Sequence, residues 1–214
     1  MAEITDAYVE EQLSLLRPHY AEWFRDVVHQ CMKQQDADRT EAALNRFVAT
    51  LPAGLPDAVR LTLLYDALRS YMTYDYEKNA ARYTYPVALF SGRAVCIGIA
   101  DLFSIICQKV SLDCRVIVGY AGRHALDGGS LHAWNQVRIA MDKGSPRWYH
   151  CDPTWDLGSG APHYFLKSDA YMKKHDHYWR QPEYPPCPCN AKRIPRIPAE
   201  VVSLARQAIK VCTR

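Results

Sequence analysis

Residues 96–110, CIGIADLFSIICQKV, are the segment that most restricts how this chain can fold. The segment is apolar nearly all round, and its only polar residues are Asp101, Ser104, Gln108 and Lys109. It has the length of a helix, and a helix without a polar face must be buried on every side. The next segment, CRVIVGYA at residues 114–121, has the β-branched density of a buried strand. The sequence therefore predicts a helix packed on a sheet.

Two further strands are predicted in the segments HAWNQVRIA and RWYHCDPTW, at residues 132–140 and 147–155. Turn residues in the intervening MDKGSP, centred near Lys143 and Gly144, indicate an antiparallel hairpin. A turn at that position pairs His132 with residues 153–155. A shift of one or two residues would bring Asp152 directly opposite His132, so we expect the imidazole and the carboxylate to meet.

Helical periodicity covers the first third of the chain, interrupted at Pro18, and is strongest from about Asp57 to Tyr71. Thr40 is the expected N-cap of the helix in RTEAALNRFVATL. Residues 77–94 and 123–130 are expected to be loops, and the proline-rich segment after Trp155 is expected to consist largely of loops up to the last helix. A last short helix is predicted at about residues 199–211.

Composition and charge exclude several classes of function. The formal net charge of the 214 residues is +3, too weak to favour nucleic acid or a membrane surface as partner. No segment approaches the ~20 apolar residues that span a bilayer, and the acidic N-terminus lacks the features of a secretory signal. The eight cysteines are scattered rather than spaced as a disulfide scaffold. We therefore expect a cytoplasmic protein with reduced thiols and no cofactor.

Three residues together carry a chemical pattern. Cys96 stands at the predicted start of the buried helix, where unpaired N–H groups and the helix dipole stabilise a thiolate. His132 beside Asp152 would have its tautomer fixed and its imidazolium form favoured. A cysteine in an apolar helix is more often a small core residue, and the same holds for a lone histidine. Their coincidence in one predicted site favours a nucleophile, a base and an orienting acid.

The segments that carry this pattern resemble the transglutaminase-like superfamily, particularly its small bacterial members. The resemblance covers about residues 64–177, through ALFSGRAVCIGIADLFSIIC, CRVIVGYA, HAWNQV, WYHCDPTWD and YFLKSDAYMKKHDHYW. It implies an α+β, papain-like fold in which a buried helix carries the cysteine and an antiparallel sheet carries the histidine and the acid. One departure is Ile99, where the family often has an aromatic residue after the glycine of its C-x-G motif.

The resemblance also implies roles and domains. Cys96 would be the nucleophile, His132 the general base and acid, and Asp152 the orienting acid. The chain divides into a helical N-terminal region at residues 1–75, a catalytic core at residues 76–180 and a Pro-rich C-terminal extension at residues 181–214. The N-terminal region could cap the cleft, regulate it or dock a partner.

The implied function is cysteine-dependent acyl transfer on peptide or other amide bonds. Water as acceptor gives a peptidase or amidase, which we favour because a small chain has little surface for excluding water. The alternatives are a protein-glutamine transglutaminase or deamidase, and a non-catalytic binding module. Peptide N-glycanase activity ranks lower, because those enzymes usually carry a cysteine-based zinc site before the core, and residues 1–95 contain only Cys31.

The sequence also supports weaker predictions for several other aromatic, acidic and potentially metal-ligating residues. Trp134 and Trp155 are the candidate substrate-binding residues, although core or wall positions are the commoner use of tryptophan. Asp156 is expected to cap the following turn, and HDHYW at residues 175–179 is expected to pack as structure. Cys187 and Cys189 do not have the spacing of a zinc site, so no metal is expected. An ordinary loop or a redox-sensitive pair remain the two interpretations of these cysteines.

An activated Cys96 thiol makes a direct prediction. Iodoacetamide at neutral pH should alkylate Cys96 well before the other seven cysteines, because the thiolate is the nucleophilic form. Peptide mapping by mass spectrometry measures the order of labelling, with Cys31 as the control thiol. Early labelling of the other thiols with Cys96 spared would contradict the assignment.

Overall fold

The computed structural model describes residue 14 and residues 18–77, 83–122, 131–141 and 144–213. The helices in this part of the chain run in the following order: α1 Tyr20–Cys31, α2 Gln34–Ala49, α3 Asp57–Tyr71, α4 Tyr85–Ser91, α5 Cys96–Lys109, α6 Asp169–Lys174 and α7 Ala199–Cys212. A short 3₁₀ turn covers Gln181–Glu183.

The strands form two sheets. Their bounds are β1 Thr73–Tyr74, β2 Arg93–Ala94, β3 Asp113–Ala121, β4 Leu131–Ile139, β5 Arg147–Cys151, β6 Phe165–Lys167 and β7 His177–Tyr178. Strands β1 and β2 pair in parallel. The main sheet has the order β6-β5-β4-β3-β7, and each of its neighbouring pairs is antiparallel. The predicted α+β class with an antiparallel sheet is confirmed.

Helix α5 is buried as its composition requires. Its apolar residues Ile99, Leu102, Phe103 and Ile106 are fully enclosed. Asp101 Oδ1 accepts two hydrogen bonds from Arg25 of α1, at 2.9 and 2.6 Å, whereas its buried Oδ2 has no hydrogen-bond partner among the described residues. Ser104 donates to the carbonyl of Cys114 at 3.2 Å. These contacts satisfy polar groups that would otherwise destabilise the buried helix.

The two faces of the main sheet are covered by different elements. Val116, Val118 and Ala133 pack against Ile97 and Ala100 of α5. The side chains of Ile117 and Trp134 alternate to the other face, where they pack against Met172 of α6 and against Trp179. The sheet is therefore a middle layer, with α5 on one side and α6 together with Trp179 on the other.

The largest core cluster includes residues from all three regions into which the sequence was divided. Phe47 and Leu64 contribute from α2 and α3, Phe103 from α5, and Ile209 from α7. Helix α7 lies against α3, where Arg206 donates to Asp66 at 2.6 and 2.9 Å. The predicted C-terminal extension thus contributes to the common core. No helix in the described ranges is long and apolar enough to cross a membrane.

Several local expectations need correction. Thr40 does not cap a helix, because α2 begins six residues earlier and Thr40 donates to the carbonyl of Asp36 within it. The expected loop at residues 77–94 contains α4, which starts beside Pro86, and β2. The proline-rich segment after Trp155 contains β6, α6 and β7. The helical pattern before Pro18, the loop at residues 123–130 and Lys143 of the predicted turn fall outside the described residues, Ser14 excepted.

Gly119 of β3 is the residue that lets β7 join the sheet. It pairs with His132 of β4, and a Cβ at this position would overlap the carbonyl oxygen of Tyr178 in β7. The same Cβ would lie 3.0 Å from the ring of Trp134. The missing side chain therefore allows a close approach of backbone to backbone.

Replacing Gly119 with alanine should destabilise the protein by about 1–3 kcal/mol, because the new methyl group displaces β7 or Trp134. Thermal unfolding measures the effect, and Gly160→Ala is the matched control, since a Cβ there meets nothing within 4 Å. Equal melting temperatures for the two variants would contradict this close packing of β7 on β3.

Candidate active site

Cys96 is the first residue of α5, and local structure fixes it there. Gly92 ends α4 in the left-handed region, with φ of 65°, and β2 pairs with β1 before the chain turns into α5. Val95 occupies the N-cap position and offers no side-chain acceptor. The N–H groups of the first turn are therefore left available for an anion at the helix start. The thiol itself is half-buried.

His132 is the second residue of β4. It shares the sheet face of Trp134, whereas Cys96 belongs to the cluster on the opposite face. The two side chains come together at the end of the strand, close enough for the imidazole and the backbone of Ala133 to lower the pKa of the Cys96 thiol.

Asp152 follows directly after β5 and is fully buried. Its Oδ2 accepts a hydrogen bond of 2.6 Å from His132 Nε2, and its Oδ1 accepts one of 3.1 Å from the Trp155 N–H. Because Nε2 bonds the carboxylate, Nδ1 is the ring nitrogen left for Cys96. The structure thus brings the three predicted residues together in one cluster.

The register of the hairpin differs from the expected shift. Asn135 pairs with Cys151 and Gln136 with His150, so the next pair along would be Trp134 with Asp152. Asp152 is therefore not directly opposite His132 but diagonal to it on the same face. A diagonal neighbour is still within reach of a long side chain such as histidine.

The charges of the site favour a thiolate and an imidazolium. Burial works to raise the pKa of Cys96, but the hydrogen bond and charge of His132 outweigh it and lower the pKa below its usual value. Burial works to lower the pKa of His132, but the Asp152 carboxylate and the Cys96 sulfur raise it to about 10. The proton shared by this pair therefore resides on His132 near neutral pH.

Asp152 stays ionised despite its burial. Burial alone would raise the pKa of this carboxyl group, but the charge and hydrogen bond of His132, followed by those of His177, hold it well below its usual range. His177 Nε2 lies 3.0 Å from Asp152 Oδ2, the oxygen that also bonds His132. The sequence predicts only that HDHYW packs as structure. It does not predict this contact, which joins β7 to the end of β5.

Asp156 does more than cap the turn that follows it. Its carboxylate accepts hydrogen bonds from the Tyr65 hydroxyl at 2.6 Å and from the His163 N–H at 2.7 Å. The Tyr164 N–H donates to it at 3.0 Å. The acid thereby closes the loop between Trp155 and β6 and fixes it to α3. Tyr164 in turn accepts the Asp152 N–H through its carbonyl, at 3.0 Å.

The two predicted substrate-binding tryptophans lie in different surroundings. Trp134 is fully buried, and its indole N–H donates to His150 Nδ1 at 3.0 Å. A direct substrate contact is therefore not expected for Trp134, whose ring packs against those of His132 and His177. Trp155 is half-buried, and its ring lies 5.8 Å from that of His132, between centroids. Trp155 alone keeps the expectation of a substrate contact.

Cys187 and Cys189 have different contacts. Gln136 donates to Cys187 at 3.1 Å, and Arg147 contacts Cys189 at 3.6 Å. The sulfur of Cys187 lies near His150 and Asp169, a set of atoms with the composition of a metal site. The indole N–H of Trp134 occupies His150 Nδ1, so the ring proton is on Nε2, which donates to Asp169 at 2.8 Å. Neither nitrogen of His150 then has a lone pair for a metal ion.

Comparison with known proteins identifies the family of the chain. Residues 46–153, half of the chain, match the sequence profile of the transglutaminase-like superfamily. The chain belongs to this superfamily of cysteine-dependent enzymes. The predicted papain- and transglutaminase-like core is confirmed. No curated protein matches the sequence.

Two solved structures are similar to the chain. One is a candidate cysteine protease from Cytophaga hutchinsonii, with 18% identity over 56% of this chain and 38% of that chain, at a TM-score of 0.41. The other is a transglutaminase, with 16% identity over 73% of this chain and 42% of that chain, at a TM-score of 0.43. This chain thus spans about two fifths of the length of each.

The raised pKa of His132 links stability to pH. Its folded-state pKa of about 10 exceeds the unfolded value of about 6.5, so its contribution is complete below the unfolded value and is lost as pH rises through the folded one. The free energy of unfolding should be higher for wild type than for His132→Gln, and this difference should be smaller at about pH 10 than at about pH 7. Urea denaturation measures both, and a constant difference would contradict the ion pair.

Proposed function

We propose that this protein is a cysteine-dependent hydrolase of peptide or related amide bonds. Cys96 is the nucleophile, His132 the general base and acid, and Asp152 the residue that orients His132. The observation that carries the proposal is the 2.6 Å hydrogen bond from His132 Nε2 to the buried Asp152 carboxylate, with Cys96 at the start of α5 beside the same imidazole. A thiolate, an imidazolium and a fixed acid at one helix start are what acyl transfer requires.

The reaction follows from these positions. The Cys96 thiolate attacks the amide carbonyl, and the C–S bond forms as the carbonyl oxygen takes up negative charge. First-turn N–H groups of α5, which have no side-chain cap, stabilise that oxyanion. His132 gives its proton to the departing amine as the C–N bond breaks. Water, deprotonated by the now neutral His132, then attacks the acyl-enzyme and releases the acid and the thiolate.

The exposure of the site favours water as the acceptor. The Cys96 thiol is only half-buried, and the neighbouring Trp155 is also half-buried. A transferase must hold water away from its acyl-enzyme until an amine arrives. A partly open thiol therefore supports hydrolysis over transfer, with Trp155 as the wall that a substrate side chain contacts.

The proposal extends to the substrate and the compartment. A peptide or protein fits an amide-directed thiolate, and no nucleic acid or membrane takes part. Seven cysteines are free thiols in the described part of the chain. Reduced thiols are typical of the cytoplasm, which we propose as the location.

Incubating the protein with a peptide library and a free amine tests the proposed reaction. Mass spectrometry should show peptides cleaved with gain of one water, because the acyl-enzyme is open to solvent. Cys96→Ala should reduce this activity by at least about 10³-fold, as the nucleophile is lost. The half-buried Cys189→Ala is the matched control and should retain activity.

Other products would redirect the proposal. Glutamine side chains that gain the amine with loss of ammonia identify a transglutaminase, and conversion of glutamine to glutamate identifies a deamidase. A Cys96→Ala variant as active as wild type would remove the cysteine mechanism. Absence of any Cys96-dependent product would favour a non-catalytic module.

A further inference from the structure

His177 is a buried histidine that the proposed reaction does not use. It lies in β7 and is fully enclosed, within a ring of aromatic groups that includes Trp155 at 4.4 Å and Trp134 at 5.2 Å between centroids. Its two ring nitrogens have defined partners. Nδ1 is 2.8 Å from the backbone carbonyl oxygen of His175, and Nε2 is 3.0 Å from Asp152 Oδ2.

Both partners are hydrogen-bond acceptors, which decides the protonation of the ring. A carbonyl oxygen has no hydrogen to give, so Nδ1 of His177 must donate. The Asp152 carboxylate already accepts from His132 and from the Trp155 N–H, so Nε2 of His177 must donate as well. A histidine that donates through both nitrogens is an imidazolium.

A second buried cation changes the charge balance of the site. The Cys96 thiolate and the Asp152 carboxylate supply two negative charges, and His132 and His177 supply two positive ones. Without the charge of His177, the group would have a net charge of −1 when the thiolate forms, and uncompensated charge beside the buried Asp152 and His132 is costly. His177 therefore has an electrostatic use that packing alone does not explain.

We propose that His177 is a positioning residue that acts as a buried imidazolium, sharing Asp152 Oδ2 with His132, so that the two histidines together balance the charges of Asp152 and the Cys96 thiolate. The inference rests on the proposed function, because it assigns a role in forming the same thiolate. The site is then a four-residue cluster, with β4, β5 and β7 each contributing to its geometry.

The other titratable groups around His177 support this assignment. Tyr164 has its ring 5.4 Å from that of His177, and burial raises the pKa of its hydroxyl to about 12, so it is neutral at neutral pH. Burial lowers the pKa of His150, which is neutral as well. The imidazolium of His132 lies 5.7 Å away, between ring centroids. Among these groups Asp152 is the only anion.

Two variants separate charge from hydrogen bonding. In His177→Gln the side-chain amide can still donate to Asp152, but the positive charge is lost. In His177→Asn the shorter amide can reach the His175 carbonyl but not Asp152. The rate of Cys96 alkylation by iodoacetamide, followed against pH by peptide mapping, should have its midpoint raised by about one pH unit in both variants. Only His177→Asn should also lose turnover through a misplaced Asp152.

The matched control is His150→Gln, which removes another buried histidine on the same sheet that hydrogen-bonds Asp169 instead of Asp152. It should lower the melting temperature but leave the pH midpoint of Cys96 unchanged. If His177→Gln and His150→Gln both keep the wild-type midpoint, His177 is structural and the inference is wrong. If wild-type Cys96 itself titrates as an ordinary thiol, the proposed function fails first.

Nitrogen-15 NMR of the histidine rings tests the charge without any substitution. At about pH 7, His177 in the wild-type protein should show two protonated nitrogens with closely similar shifts, as in an imidazolium. One protonated and one unprotonated nitrogen would identify a neutral ring and overturn the inference. His150 serves as the internal reference for a neutral ring.

Discussion

The buried carboxylate of Asp152 is the constraint on which the site depends. An ion without water must be paired and hydrogen-bonded, or it shifts its pKa and becomes neutral. Asp152 meets this requirement with donors from three places in the chain: His132 of β4, His177 of β7 and the backbone of Trp155. Each of these donors must keep its position if the Asp152 carboxylate is to stay ionised. The acid therefore fixes the end of the sheet as well as the imidazole.

In the proposed reaction, that constraint also acts on a thiol from the opposite face of the sheet. Helix α5 is held by its all-round apolar contacts and by the Arg25–Asp101 pair, so Cys96 has a fixed position at its start. His132 reaches the sulfur only at the end of β4, where the two faces meet. Because Asp152 fixes the ring, the proposed reaction would need little reorganisation of these groups when substrate binds.

Local sequence patterns were sufficient for the elements that carry the triad. The apolar run of α5 and the β-branched run of β3 predict the helix and the strand that form there, and β4 and β5 pair antiparallel as expected. The prediction of Thr40 as an N-cap was wrong because a hydroxyl inside a helix can also donate to the carbonyl four residues earlier, as Thr40 does to Asp36. His177 and Asp156 could not be placed, because their partners are set by how distant segments pack. The burial of Trp134 likewise depends on Met172 and Trp179, which arrive late in the chain.

The ultraviolet absorbance of the Cys96 thiolate tests the central claim most directly. It is the difference between wild type and Cys96→Ala, recorded as pH is raised from acid to alkaline. The account predicts that the thiolate signal is already present at neutral pH and disappears on acidification, since the proton resides on His132. A signal that develops only in the range of an ordinary thiol, at about pH 8.5, would show that no ion pair exists and would contradict the account.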